Sequence, residues 1–135
     1  MTTTIDANRT LGRQFFEEQD RLRGGPADAL CASTYTARIG CNPAMNRAGH
    51  EQFAVAFYGA FPDMRHHIED VFATDDRVAV RFVLRGTNTG SFFGMPPTGR
   101  PMEVPGHILM RVADGRVTEL LGLFDEAGLM RQLGG

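Results

Sequence analysis

The chain has no tryptophan, only two cysteines, no excess of either charge and no long apolar run. Each shortage excludes something. Cys31 and Cys41 alone build neither a disulfide framework nor a metal-ligand spacing. Two reduced thiols are expected, with Cys41 in the core rather than acting as a nucleophile. The 14 basic residues are mixed with 16 acidic ones, for a formal charge of −2. A nucleic-acid footprint needs clustered positive charge, and none is present. The basic stretch from Arg9 to Arg23 is interleaved with Glu17, Glu18 and Asp20, the pattern of a solvated helix face. No segment approaches the roughly 18 apolar residues of a membrane span. The start, from Met1 to Asp6, is polar and unlike a signal peptide. A cytoplasmic protein with no nucleic-acid or membrane partner is expected.

What is present is the material of one globular domain over residues 1–135, large enough for a real core. Residues 5–22 read as an amphipathic helix with Leu11, Phe15, Phe16 and Leu22 on one side. Gly24 and Gly25 end it, and Pro26 and Asp28 open a short second helix to about residue 32. Residues 33–39 tend to strand, and Asn42-Pro43 breaks them. A third helix is expected over 49–61, with Phe53, Ala56, Phe57, Ala60 and Phe61 as its buried stripe. Four strands follow, near 65–73, 77–88, 102–112 and 116–124, with hairpin signals at Asp75-Asp76 and Asp114-Gly115. A last short helix runs over 126–133, with Asp125 at its N-cap. Helices set apart from a run of antiparallel strands make an α+β fold.

The most distinctive segment is Arg85-Gly86-Thr87-Asn88-Thr89-Gly90-Ser91-Phe92-Phe93-Gly94-Met95-Pro96-Pro97-Thr98-Gly99-Arg100. Its glycines and paired prolines fix a long, particular turn between two strands. Together with Phe61-Pro62-Asp63, Ile68-Glu69-Asp70, the run Asp76 to Arg81, the run Met110 to Val117 and Gln132-Leu133-Gly134, it resembles the SnoaL-like polyketide cyclases. These belong to the ketosteroid-isomerase-like cone superfamily. The likeness covers residues 29–134. It implies a cone-shaped curved antiparallel sheet with three helices on its concave face, enclosing an apolar pocket. It also implies a cofactor-free, metal-free enzyme acting on a polyketide- or aromatic-type molecule in secondary metabolism. Cyclases of this family use an acid/base Asp with a nearby His on the last two strands. Counted from Met110-Arg111 and Asp114-Gly115, those positions fall here on Ile108 and Gly122, which carry no proton-transfer group. Arg111 would face Glu119 across the hairpin in that register.

Other carboxylates and imidazoles must then be weighed. By strand alternation His66, Ile68, Asp70 and Phe72 share one face, and Ile68 and Phe72 mark it as the inner one. His66 with Asp70 is the leading acid/base pair; the bland alternative is an exposed His66 and an Asp70 satisfied by a neighbour. Asp125 is a further candidate, against the helix N-cap role that its place before residue 126 favours. His107 faces outward in this register unless a β-bulge turns it. No histidine pair has metal-ligand spacing. Tyr35 and Asn88 are candidate hydrogen-bonding groups for a ligand, against packing and turn-forming roles. Phe57, Phe82, Met95, Ile108, Met110 and Phe124 supply an apolar lining that would serve a plain core almost as well. Three functions follow: a cofactor-independent cyclase, isomerase or hydroxylase, a non-catalytic binder of a small apolar ligand, or a dimerising module with a vestigial pocket. Leu109, Leu121 and Leu123 on the outer sheet face predict a homodimer.

Overall fold

In the computed structural model, which describes residues 3–134, helix α1 (Thr4–Leu22) is the longest helix. Thr3 caps it: its side chain accepts from the Asp6 N–H, and the Asp6 carboxylate accepts from the Thr3 N–H. Leu11, Phe15 and Phe16 are buried, as the spacing predicts, whereas Leu22 in the last turn is half exposed. Arg23 ends the helix in a left-handed conformation at φ 56°. The expected second helix is a single 3₁₀ turn, Asp28–Leu30, because β1 (Cys31–Ile39) starts earlier than the strand signal suggests. Helix α2 (Arg47–Ala60) follows, then β2 (Arg65–Ala73), β3 (Arg77–Thr87), β4 (Pro101–Ala113), β5 (Arg116–Phe124) and α3 (Glu126–Gln132).

The strands form one sheet in the order β1-β5-β4-β3-β2. From β2 to β5 every neighbour is antiparallel, but β1 lies parallel to β5, so the sheet is mixed. No hairpin ties β1 to its neighbour. The chain leaves β1 through α2 for the opposite edge, so β1 is free to take the other direction. Helix α1 packs across β2 and β3, α2 against β1, and α3 against β4. Between helices and sheet lies one hydrophobic core, with Phe15, Phe61, Val104 and Met110 fully buried.

The long loop holds the far end of the β3–β4 hairpin, and Asn88 is its rivet. Its side chain is fully buried, donates to the Ala60 and Gly90 carbonyls and accepts from the Thr98 N–H and hydroxyl. Glycine at 90 is required, because a Cβ there would lie 2.0 Å from the Gly59 carbonyl oxygen. At the loop tip Phe92 and Met95 exchange both backbone hydrogen bonds, with Phe93 and Gly94 at φ 46° and 82° in the turn between them.

Register through β4 and β5 follows the sequence count. Ile108 sits opposite Gly122, and Arg111 opposite Glu119 with an exposed ion pair of 3.4 Å. Strand β2 breaks the simple alternation. Ile68 pairs with Phe82 but Asp70 pairs with Arg81, so Glu69 is an extra residue in a β-bulge. His66 and Ile68 face inward before the bulge. Beyond it Val71 takes the inner side while Phe72 turns out, 69% exposed.

Candidate functional site

Where the apolar faces of α1, α2 and the sheet meet, a cavity of ≈ 70 Å³ remains. Its walls are mostly apolar, with Phe16, Phe57, Phe82, Ile108 and Leu120 among them. Four polar side chains also reach it: Gln19 from α1, His50 and Tyr58 from α2, and His66 from β2. Their placement is helical arithmetic. Gln19 follows Phe15 and Phe16 by four and three residues on the buried face of α1. His50, Ala54, Phe57 and Tyr58 share the buried face of α2. An outer groove of ≈ 420 Å³ adjoins the cavity, and Phe53, Phe57 and Phe124 line both. Phe93 and Met95 from the loop tip complete the groove.

His66 is organised by a residue that sequence reasoning passed over, Asp20. One Asp20 oxygen accepts from the Tyr58 hydroxyl at 2.6 Å and lies 2.8 Å from His66 Nδ1; the other accepts from the His66 backbone N–H at 2.8 Å. Burial pushes the Asp20 carboxyl up, but the hydrogen bonds and charge of His66, with the Tyr58 hydroxyl, hold it below the ordinary aspartate value. An ionised Asp20 can only accept, so the Nδ1 proton belongs to His66. In the neutral ring Nε2 then carries the free lone pair. The imidazole is clamped between Phe16 and Phe82, with centroids 4.9 and 5.0 Å away. A fixed imidazole with an aspartate on Nδ1, and no partner for Nε2 among the described residues, is the arrangement of a general base.

On the other side, Tyr35 and His50 pair inside the core. The Tyr35 hydroxyl lies 2.8 Å from His50 Nδ1, and the rings stack within 6° of parallel. Burial, with the nearby His66 charge, lowers the His50 pKa to about 4, so the ring is neutral at ordinary pH. Burial pushes the Tyr35 hydroxyl up, beyond any physiological ionisation. The Gln19 side chain, 3% exposed, makes no hydrogen bond among the described residues, and its Oε1 is fully enclosed without a donor.

The remaining expected site residues are scattered. The β2 bulge separates Asp70 from His66, and Asp70 lies on the outer side in an ion pair of 2.8 Å with Arg81. Asp125 caps α3, accepting from the Gly128 N–H at 2.9 Å. No bulge reaches His107, which stays outward beside Leu123. Asn88 is spent on the loop. Tyr35 is turned to His50. Phe57, Phe82, Ile108 and Phe124 line the cavity, Met95 lines only the groove, and Met110 is sealed in the core. Cys41 is exposed, not in the core, because it follows the left-handed turn at Gly40; Cys31 is the buried thiol, and both are free. Burial raises the Cys31 pKa to about 11, which leaves it unreactive. Among the described residues, no group of three or more His, Cys, Asp or Glu is arranged to hold a metal ion. The signal for Asp20 was its position four residues after Phe16; for His50 it was the spacing to Ala54 and Phe57.

The family profile for SnoaL-like polyketide cyclase matches residues 12–133. The chain belongs to that family. The fold is shared with a candidate SnoaL-like polyketide cyclase from Jannaschia sp. CCS1, at a TM-score of 0.87 and 22% identity, covering 100% of this chain and 96% of that one. It is also shared with AclR, a candidate hydroxylase from Streptomyces galilaeus, at 0.81 and 24%, covering 95% and 96%. IdmH, a candidate polyketide cyclase from Streptomyces antibioticus, superposes at 0.75 with 29% identity over 96% and 97%. No curated protein sequence matches the chain. The sheet positions where the resemblance places the cyclase pair are Ile108 and Gly122, and the polar side chains on the cavity come from α1, α2 and β2. No helix among the described residues is long and apolar enough to cross a membrane.

Proposed function

We propose that this SnoaL-like protein binds a small apolar carbonyl compound, of polyketide or aromatic type, and moves a proton on it without a cofactor. The observation that carries the reading is His66, held by Asp20, on the wall of a mostly apolar cavity. Asp20 fixes the ring and steadies the imidazolium that forms when Nε2 accepts a proton. Tyr58 and the His66 backbone N–H hold Asp20 in turn. The inner cavity is well below the ~300 Å³ of ordinary small-molecule sites. The reacting end therefore sits inside, and the body of the molecule lies along Phe53, Phe93, Met95 and Phe124 in the groove. Isomerisation through an enolate fits this arrangement better than ring closure by the usual family pair.

Exchange of ketone α-hydrogens tests the reading directly. In D₂O the protein should speed loss of the α-proton NMR signals of 2-tetralone, a flat bicyclic ketone, and His66→Gln should abolish the effect. No acceleration over buffer by the unmodified protein would overturn it.

The apolar wall at Ile108 and Gly122 favours a second reading, a binder that sequesters its ligand unchanged. Native mass spectrometry of protein purified from its own host separates the two: an unmodified retained ligand supports the binder, a rearranged product the enzyme. In either case we place the protein in the cytoplasm as a homodimer. Two free cysteines support the first. The second is supported by Phe72, Leu109, Leu121 and Leu123, which are 43–69% exposed on the outer sheet face. A monomer in analytical ultracentrifugation at micromolar concentration would contradict the dimer.

A further inference from the structure

We propose that Tyr35 and His50 form a second polar subsite, in which the His50 Nε2–H binds the carbonyl oxygen of the ligand while His66 acts on the carbon beside it. The proposal rests on the cavity being a ligand site, and adds a catalytic group and a substrate requirement to it.

The argument begins with the tautomer of His50. Tyr35 is 3% exposed, and among the described residues its hydroxyl has only His50 Nδ1 within hydrogen-bond distance. If Nδ1 carried the proton, the Tyr35 O–H would be left a buried donor with no acceptor. With Tyr35 donating to Nδ1, the phenol is satisfied and the ring proton moves to Nε2. That Nε2–H has no acceptor among the described residues, although His50 lines the cavity. A stacked, buried Tyr–His pair could be packing alone. The Gln19 carboxamide argues otherwise. It is a second buried polar group on the same cavity, without a hydrogen bond among the described residues, and its Oε1 lacks any donor. A free donor on His50 and a free acceptor on Gln19, both on one cavity, suit a molecule that offers an acceptor to His50 and a donor to Gln19. A ketone with a nearby hydroxyl, or the enol of a diketone, has both.

The chemistry follows. The C–H bond next to the carbonyl breaks, and its proton goes to His66 Nε2. The electron pair forms the C=C bond as the C=O π pair moves onto oxygen. His50 keeps its own proton and holds the new enolate oxygen by a hydrogen bond. His66 then returns the proton to the same carbon or to another along the conjugated system, so nothing is consumed. A neutral imidazole suits this task because it is already a donor and needs no reorganisation as charge develops. Its lowered pKa keeps it neutral beside His66.

Two experiments test the subsite. In the unmodified protein at pH 7, long-range ¹H–¹⁵N correlation should show His50 as the Nε2–H tautomer; an Nδ1–H ring would overturn the proposal. In bound 2-tetralone, the infrared C=O stretch should fall below its free value. That shift should persist in His66→Gln and His50→Gln, which leave a donor at position 50. It should vanish in His50→Leu, with binding about tenfold weaker. A bound ketone with an unshifted carbonyl in the unmodified protein would remove His50 from the site and leave the cavity reading standing. Failure of the unmodified protein to bind the ketone would remove both.

Discussion

Between α1, α2 and β2 the cavity meets Gln19, His50, Tyr58 and His66; between β4 and β5 it meets Ile108, Leu120, Gly122 and Phe124. The two walls belong to one scaffold and differ in every chemical respect. The sheet wall is where the resemblance to cyclases places an acid and a base, and here it is hydrocarbon. The wall of α1, α2 and β2 carries a half-buried aspartate–imidazole pair, a neutral imidazole and a carboxamide without a partner among the described residues. The scaffold needs only that both walls be shaped and dry enough to enclose a ligand. Nothing in the fold dictates which wall holds the proton-transfer groups.

Losing the base is the largest expected break in this comparison. His66→Gln should lower catalysed α-exchange by about 10²- to 10⁴-fold, the usual worth of a positioned base. Ile108→Val, on the opposite wall, should leave the rate near that of the unmodified protein. Rates that fall with Ile108 and not with His66 would return the chemistry to β4 and β5.

A second test reads the helix wall through stability. His50 is neutral in the folded protein down to about pH 4, while an unfolded-chain histidine takes up its proton near pH 6.5. Above pH 6.5 both states are neutral and His50 makes no pH-dependent contribution. As pH falls from about 6.5 toward 4, the unfolded state binds the proton first. Stability should therefore drop, by about 3 kcal/mol at the end of that window. The Asp20 carboxyl works in a separate range. Its folded pKa is depressed, so its contribution is present above the unfolded aspartate value of 3.8 and is lost only as pH falls below it. Urea unfolding from pH 7.5 to 4.5 should show the His50 slope, and His50→Gln should flatten it. A flat profile in the unmodified protein would mean that His50 is not held neutral.

The sheet wall has its own signature, which is steric. A Cβ at Gly122 would lie 2.6 Å from Ile108 Cδ1. Gly122→Ala should therefore destabilise by about 1–3 kcal/mol through overpacking. Ile108→Val alone removes that methyl and costs about 0.5–1.5 kcal/mol. Combined, the two changes should cost less than their sum, since the valine vacates the space the alanine fills. Strict additivity in chemical denaturation would show that the two residues do not share that space.

The two walls were not equally legible. On the sheet side the register could be counted from the Asp114-Gly115 turn, and Ile108 opposite Gly122 and Arg111 opposite Glu119 follow from that count. Strand period is two, so a known turn fixes every later position. On the helix side the decisive contacts join residues far apart in sequence. Asp20 meets His66 across 46 positions, and its neighbours Glu17, Glu18 and Arg21 make it look like one more surface charge. His50 and Tyr35 lie on buried faces, but 15 positions apart, so nothing in the sequence pairs them. Asn88 is ambiguous for another reason. A turn-forming asparagine and a ligand-binding one look alike until the four bonds of its side chain are seen.

The smallest expected effect concerns the residue that looked most catalytic by alternation. Asp70 sits four residues after His66, and an unbroken strand would place both in the cavity. The extra residue at Glu69 reverses the faces. Asp70 therefore spends its carboxylate on Arg81, which also reaches Glu69 at 3.3 Å on the solvent side. An exposed pair of this kind contributes little, and Arg81 keeps a partner if Asp70 is neutralised. Asp70→Asn should leave both the α-exchange rate and the melting temperature where they were. Asp20→Asn makes the matched control. It removes the charge that sets the His66 tautomer, so exchange should fall sharply and the melting temperature with it. If Asp70→Asn abolished exchange while Asp20→Asn did not, the bulge would not separate Asp70 from the cavity in solution. The acid/base pair would then lie along β2 after all.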